Sequence, residues 1–358
     1  MEFISRWRMI CRCRRRSIAK KPKPRIKADW EGIMHRRKFV LSIALTGALA
    51  ATHGMPALAQ VGEQPIRIVF PFTAGGSGDA LSRLIADKMR AGLKAPVIVE
   101  NRTGAGGRLG VQAVKNAAPD GMTLLLVPIA PVAVYQHVYK SLDYDPFTDL
   151  QPVAQLGTFD FGIAVGPHVP AKTLKELVAW AKANPKEANY GTPAAGTLPH
   201  FLGALFGQRA GLDFRHIAYK GSAAALTDMI GGQIPIVVTT NSDLVEMHKG
   251  GRIRVLATSD AQRSQFLPDI PTFREAGYDL QATGWYGVFA PAKTPPDVIE
   301  KLNKVIVEAV KAPDVRERLL AFGLQPTGTS AAELAVIMKR DSAFWAPAVK
   351  ASGFTPEN

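Results

Sequence analysis

Two short glycine-rich segments have the composition of anion-binding loops. The first, residues 73–78, reads Thr-Ala-Gly-Gly-Ser-Gly, and the second, residues 191–197, reads Gly-Thr-Pro-Ala-Ala-Gly-Thr. Glycine lets the backbone approach a ligand closely, and free N–H groups at the start of a helix attract anions. Neither loop has the Lys of a phosphate-binding loop, and Leu198 stands at that position after the second. The two loops therefore predict a carboxylate site rather than a nucleotide site.

Both loops also have a purely structural explanation. Ser77 or Asp79 would then cap the helix after the first loop, and Thr197 would cap the helix after the second. Lys220 supplies an ammonium group to an acidic ligand under the binding hypothesis and is otherwise a solvated surface lysine. A third glycine cluster at residues 104–108 is predicted to be a turn beside the cleft.

No arrangement of residues in the sequence matches a familiar catalytic or metal site. There is no Gly-x-Ser-x-Gly elbow and no His-Glu-x-x-His, and the histidines after residue 60 are scattered without ligand spacing. His200 lies one turn into the helix after the second loop, where a structural role is the favoured explanation. We therefore predict no catalytic residue, no metal and no cofactor. An exported hydrolase that uses His200 and a loop hydroxyl is the alternative from another functional class.

The net charge of +14 is concentrated near the N-terminus. Of the 44 Lys and Arg residues, 14 lie in residues 1–38, so no nucleic-acid partner is predicted for the nearly neutral remainder. Residues 1–33 have little structural character and are predicted to be a disordered start-site extension, with Met34 as the true start. Both cysteines, Cys11 and Cys13, lie in this extension, so the exported protein is expected to have no disulfide.

An export signal is predicted in residues 34–59. The basic cluster 35–38 precedes an uncharged apolar run at 39–51, and small residues lead to a cleavage site after Ala59. The pair Arg36-Arg37 fits a twin-arginine signal, but a general secretory signal has the same basic cluster, so both routes stay open. The mature protein is therefore expected to be soluble and periplasmic.

The rest of the sequence alternates short β-rich runs with amphipathic helices, which is typical of an α/β fold with parallel strands. The predicted strands are residues 66–70, 96–100, 123–127, 162–165, 189–193, 215–219, 234–239, 254–259 and 285–290. The predicted helices follow residue 79, span 173–183, 197–211 and 222–230, and continue from residue 296, with capping boxes at Thr173 and Ser330. Core packing is the default role of the aromatic residues near the presumed crossover: Phe159, Phe161, Trp285 and Tyr286.

Five segments resemble, in unbroken order, the motifs of one known family: PFTAGGSGDALSR (71–83), VENRTGAGGRLG (99–110), NYGTPAAGTLPH (189–200), AYKGSAAALTDMIGGQI (218–234) and GWYGVFAPAKTPPDVIEKLN (284–303). From about residue 66 to residue 323 the chain is similar to the Bug-type receptors of tripartite tricarboxylate transporters. The resemblance implies a two-lobe type II periplasmic-binding-protein (Venus flytrap) fold with a hinge of crossing strands. We expect lobe 1 to comprise residues 60–160 plus 290–358, and lobe 2 residues 161–289.

The resemblance also implies a function. A monomeric receptor would hold a small carboxylate in its cleft through backbone amides and deliver it to membrane permease subunits. Carried over residue by residue, it places ligand-binding residues on both walls: Phe72, Thr73, Ala74, Gly75, Gly76 and Asp79; Thr192, Ala195, Gly196, Thr197 and His200; Tyr219, Lys220 and Gly221. A ligand-sensing subunit for a membrane signalling protein is an alternative with the same binding chemistry.

One pair of residues departs from the family pattern. Where the family commonly has Asp-Asn after the motif GGQIPIVV, this chain has Thr239-Thr240. Loss of an acidic side chain near the cleft is expected to favour a more anionic ligand and to make an amino acid a poorer one.

Overall fold

The computed structural model describes residues 64–355, so the predicted extension and signal peptide lie outside the described residues. The strands in this range are β1 (Ile66–Phe70), β2 (Val97–Asn101), β3 (Thr123–Pro128), β4 (Leu150–Val165), β5 (Asn189–Thr192), β6 (Arg215–Ala218), β7 (Ile236–Thr240), β8 (Arg254–Thr258), β9 (Thr283–Pro291) and β10 (Gln325–Pro326). The α-helices are α1 (Ser77–Leu93), α2 (Arg108–Lys115), α3 (Tyr135–Val138), α4 (Leu174–Ala183), α5 (Leu198–Ala210), α6 (Ser222–Ile230), α7 (Asn241–Lys249), α8 (Pro296–Lys311), α9 (Pro313–Ala321) and α10 (Ala331–Ala351).

The strands form two sheets with the same topology: in each, one strand lies between two parallel neighbours, and antiparallel strands follow on one side. The first runs β2-β1-β3-β9-β4, with β1 parallel to β2 and β3, and with β9 antiparallel to both of its neighbours. The second runs β6-β5-β7-β4-β8, with β5 parallel to β6 and β7, and with β4 antiparallel to β7 and β8. The long strand β4 belongs to both sheets, so it joins the two lobes and lies beside β9 where they meet.

Apolar residues explain why the predicted strands and helices form where they do. Ile68 in β1 and Leu124 in β3 are fully buried, as central strands of a parallel sheet require. Helix α1 buries Leu81, Ile85 and Met89, which recur every four residues along one face. Complete burial of one such side chain contributes about 1.5–3 kcal/mol. Because β1 and α1 are both anchored in the core, the loop that connects them is held in one place.

Two predicted helix starts differ in their caps. Ser330 and Glu333 form the complete reciprocal box at the start of α10. At α4 the Thr173 hydroxyl accepts from the backbone N–H of Glu176, as predicted. The Glu176 carboxylate, however, accepts from the N–H of Lys172 instead of Thr173, so only half of the predicted box forms there.

The structure extends the sequence prediction in two places. Strand β4 spans 16 residues, whereas only its last four were predicted, because Pro152, Gly157 and Asp160 interrupt the apolar pattern. Helix α7 was not predicted, since it starts with the polar run Asn-Ser-Asp. Between residues 64 and 355, no helix combines the length and the apolar character that a membrane span requires.

Candidate functional site

A cavity lies where the two lobes meet, and we call it the central cavity. Its volume is about 570 Å³ when the solvent at its mouth is counted. The walls come from the loop before α1, the end of β3, the crossing strands β4 and β9, and the starts of α5, α6 and α7. The lining residues are Phe70, Phe72, Thr73, Gly76, Ser77, Gly78, Pro128, Ile129, Ala130, Phe159, Phe161, Pro193, Thr197, Leu198, Pro199, Gly221, Ser222, Thr240, Asp243 and Tyr286.

Four helices begin at the wall of the central cavity. Their N-cap residues are Gly76 for α1, Thr197 for α5, Gly221 for α6 and Thr240 for α7, and none of the four caps its helix with a side-chain hydrogen bond. Away from this cavity, α4 and α10 have capped N-termini, whereas α8 and α9 have no side-chain cap, so what distinguishes the four helices is that they converge on one cavity. An uncapped helix start presents N–H donors and the positive end of the helix dipole, although at α1 the N–H of Ser77 already donates to Asp243. The cavity is therefore suited to an anion.

The two loops proposed from sequence are held in place by side chains behind them. The carboxylate of Asp79 accepts from the N–H of Gly75, which has a positive φ of 96°, and from Arg83 and Asn101. Burial alone would raise the pKa of Asp79, but these hydrogen bonds outweigh burial and hold the pKa below its usual value. Asp79 therefore shapes the first loop from behind.

The second loop is fixed by its own hydroxyl and by a histidine. The Thr197 hydroxyl donates to the carbonyl of Ala194 at 2.8 Å, so it does not cap α5 as the structural alternative required. The Nδ1 atom of His200 accepts from the N–H of Gly196 at 3.0 Å. The second loop is thereby closed on itself, and the start of α5 is left open toward the cavity.

Hydrogen bonds cross the cleft between the lobes. The N–H of Thr73 donates to the carbonyl of Lys220 at 3.0 Å. The N–H of Ser77 donates to Oδ1 of Asp243 at 2.7 Å, and the hydroxyl of Ser242 donates to that of Ser77 at 3.0 Å. The lobes are therefore in direct contact along one side of the central cavity, in the manner of a closed two-lobe receptor.

One hydroxyl at this contact has no protein partner. Oγ1 of Thr73 is buried, and none of residues 64–355 hydrogen-bonds to it. Thr73 lines the central cavity. Since a buried polar atom without a partner costs about 1–3 kcal/mol, this hydroxyl is a candidate to bind a ligand or a water molecule.

The predicted site residues fall into three groups. Five of them line the central cavity: Phe72, Thr73, Gly76, Thr197 and Gly221. Three line a second cavity of about 1220 Å³, again counted with its solvent, which we call the lateral cavity: Ala195, His200 and Tyr219. Six line neither cavity: Ala74, Gly75, Asp79, Thr192, Gly196 and Lys220. Direct ligand contact by each of these fourteen residues stays a prediction.

The lateral cavity has different chemistry. His200 and His216 stack with their ring centroids 3.6 Å apart, and burial lowers the pKa of His200 to about 4. Burial and the neighbouring His200 lower the pKa of His216 to about 3, so both rings are neutral at pH 7. The guanidinium of Arg108 lies 4.1 Å from the ring centroid of Tyr139. Neutral, stacked imidazoles fit a structural role for His200.

Sequence reasoning missed several residues of the central cavity. The rings of Phe159, Phe161 and Tyr286 were expected to pack in the core, yet they line the cavity as well as being buried. Trp285 does remain a core residue, with its indole N–H donating to Asp341. An aromatic residue in a core strand has the same sequence pattern in both roles, so only the fold separates them.

The acidic side chain that is lost at Thr239-Thr240 is replaced by another one in the cavity wall, and the expected effect on ligand preference stays a prediction. Thr240 does line the central cavity, but Asp243, three residues further along the chain, also lines it. Asp243 is in the first turn of α7, where its Oδ2 atom accepts a hydrogen bond from Oγ1 of Thr240 at 2.6 Å. Because α7 was not predicted, no pattern in the sequence indicated that Asp243 would lie there.

The chain is similar to one family along almost all of its described length. The profile of the "Tripartite tricarboxylate transporter family receptor" matches residues 81–354. Protein BugT of Bordetella pertussis is 34% identical over 316 residues, which cover 87% of this chain and 97% of BugT. The periplasmic binding protein BugD superposes with a TM-score of 0.79 at 30% identity, covering 82% of this chain and 99% of BugD.

A further solved relative is MatC from Rhodopseudomonas palustris with bound malate, which has a TM-score of 0.76 at 28% identity. The superposition covers 80% of this chain and 98% of MatC. These similarities confirm both the resemblance and the two-lobe fold predicted from the sequence. The chain belongs to the tripartite tricarboxylate transporter receptor family of solute-binding proteins.

Proposed function

We propose that the mature chain is a periplasmic receptor that binds a small organic carboxylate in the central cavity and delivers it to the membrane subunits of a tripartite transporter. The observation that carries this proposal is the meeting of four uncapped helix starts at one largely apolar cavity between the lobes. Their N–H groups can bind a carboxylate without a cationic side chain, and each favourable dipole contributes about 0.3–1 kcal/mol, rising to about 2 when partly buried.

Binding and closure are coupled in this proposal. The first lobe supplies the loop at Thr73 and Gly76, and the second supplies the starts of α5 and α6. A ligand that accepts hydrogen bonds from both lobes binds the closed state more tightly and shifts the population toward it. The hydrogen bond from Thr73 to Lys220 stabilises the same closed state.

The family supports the ligand class, the compartment and the partner. BugD is a periplasmic binding protein, and MatC holds malate. We propose the same compartment and the same general ligand class for this chain, with export directed by residues 34–59. Permease subunits of a tripartite transporter are the proposed partners, and the receptor is proposed to act as a monomer.

A hydrolase site at His200 in the lateral cavity is a weaker hypothesis for the function than a carboxylate receptor. His200 uses Nδ1 to accept from the Gly196 backbone, so a carboxylate does not orient the ring as it would orient a general base. Burial keeps this imidazole neutral by lowering its pKa. We therefore propose a binding protein without enzymatic activity. A signalling role would bind the ligand in the same way, and co-purification with a permease or with a kinase ectodomain separates the two.

The proposal is tested by thermal shift and calorimetry on residues 60–358 with mono-, di- and tricarboxylates, amino acids, amines and neutral sugars. A carboxylate present at 100 times its dissociation constant is expected to stabilise the folded state by about 2.7 kcal/mol. Stabilisation by amines or neutral sugars alone would overturn the carboxylate proposal.

A further inference from the structure

We propose that Asp243 makes the central cavity selective for ligands with one carboxylate and an apolar body, and against ligands with two carboxylates. This inference rests on the proposed function, since it assumes that a carboxylate binds there. It concerns Asp243, an acidic residue in a cleft where the sequence predicted the loss of an acidic side chain.

The described wall of the central cavity has a single charged side chain. Asp243 is the only acidic side chain among the described lining residues, and no Lys, Arg or His of residues 64–355 is among them. A ligand with one carboxylate can place it at the uncapped starts of α5 and α6. A second carboxylate in the same cavity would meet the like charge of Asp243 and no cationic side chain, which is how a binding site rejects a close analogue.

Hydrogen bonds hold the Asp243 carboxylate in position. Its Oδ1 accepts from the N–H of Ser77 at the start of α1, across the cleft, and its Oδ2 accepts from the hydroxyl of Thr240 at 2.6 Å. The hydroxyl of Thr239 lies 3.5 Å from the same Oδ2. Rotation of this side chain away from the cavity would break these bonds. Asp243 therefore occupies a donor that a second ligand carboxylate would otherwise use.

The remaining wall of the central cavity is mostly aromatic and aliphatic. The rings of Phe159 and Phe161 meet edge to face at 5.4 Å, and Phe159 and Tyr286 have centroids 4.8 Å apart. Phe70 and Phe72 form another pair at 5.8 Å. These rings, together with proline and aliphatic residues, form a surface that favours an apolar ligand body over a hydrated anionic one.

The inference is tested with ligand pairs that differ only in the number of carboxylates. Calorimetry compares hexanoate with adipate, and benzoate with terephthalate, on the wild-type protein. We expect the monocarboxylate of at least one pair to bind at least tenfold more tightly than its dicarboxylate. Equal or tighter binding of the dicarboxylate in every pair that binds would overturn the inference and leave the carboxylate receptor intact. If none of the four ligands binds, the inference fails, and the broader carboxylate panel decides the proposed function separately.

A matched pair of variants identifies the responsible charge. Asp243→Asn removes the negative charge from the cavity and keeps the shape of the side chain. We expect it to reduce the ratio of the dicarboxylate and monocarboxylate dissociation constants at least fivefold, mainly by strengthening dicarboxylate binding. Asp87→Asn removes one charge from the exposed face of α1, where Asp87 pairs with Arg90, and is expected to leave the preference unchanged. An unchanged preference in a folded Asp243→Asn protein would overturn the role of Asp243. Should Asp243→Asn fail to fold, the wild-type ratios still decide the selectivity, and Asp243→Ser repeats the charge test.

Discussion

The contact between Gly221 and Thr73 offers a direct test of lobe closure. Gly221 has a φ of 142°, and a Cβ added there would lie 2.4 Å from Oγ1 of Thr73 and 3.2 Å from its N atom. The first distance is about 1 Å short of the 3.4 Å at which ordinary contact begins. Gly221→Ala therefore requires the Thr73 side chain to rotate and its backbone N to move by a few tenths of an ångström, which disrupts the hydrogen bond from Thr73 to Lys220.

The size of the effect follows from these contacts. Loss of the hydrogen bond costs the closed state about 0.5–1.5 kcal/mol, which corresponds to roughly 2- to 13-fold in affinity. The steric overlap adds to this loss, so we expect carboxylate affinity to fall about tenfold or more in calorimetry. Backbone strain of about 1–3 kcal/mol acts in the open state as well, and it lowers the free energy of unfolding without lowering affinity.

Gly211→Ala is the matched control for strain. Gly211 has a φ of 62° at the end of α5, and a Cβ there meets nothing within 4 Å. This control is expected to lose stability and to keep its affinity. Equal affinities of Gly221→Ala and wild type, measured on folded protein, would refute the idea that closure at Thr73 is needed for binding.

Three further predictions concern the loops and the buried titratable groups. Thr197→Val removes the hydroxyl that donates to Ala194, so chemical denaturation should show a loss of about 0.5–1.5 kcal/mol, and no loss would contradict this role. Burial raises the pKa of Asp160 to about 7, so the folded state holds a proton that the unfolded chain releases near pH 4. Its contribution to stability therefore declines from about pH 4 to about pH 7, and Asp160→Asn should remove that decline from melting curves between pH 5 and 8. The pKa of His216 is lowered to about 3, so its contribution is present above about pH 6.5 and is lost as the pH falls below that value. His216→Asn should lose less stability than wild type between pH 7 and 5, and an equal loss would contradict a buried neutral His200–His216 pair.

The parts of the fold that were predictable are those with a continuous or periodic apolar pattern. The strand at residues 66–70 and the helix at residues 222–230 have the bounds that the sequence indicated. Each buries apolar residues at regular positions, so local pattern and tertiary packing agree. Strand β4 was only partly predicted because Asp160 and Gly157 lie in its interior, where the neighbouring strands β9 and β10 supply its partners.

The site was predictable where backbone chemistry dominates. The two glycine loops can be recognised from their composition, and both line the central cavity, the first with Gly76 and the second with Thr197. The aromatic wall and Asp243 could not be inferred in this way, since their role depends on how the second sheet lies against the first. Asp243 in particular requires α7 to begin at the end of β7, which the polar sequence there does not reveal.

The most direct test of the account is a crystal structure of the receptor with the carboxylate that binds most tightly. The ligand carboxylate is expected to lie in the central cavity, within hydrogen-bonding distance of N–H groups at the starts of α5 or α6. Its apolar body should contact the rings of Phe159 and Tyr286. A ligand bound instead in the lateral cavity, beside Arg108 and His200, would contradict the account.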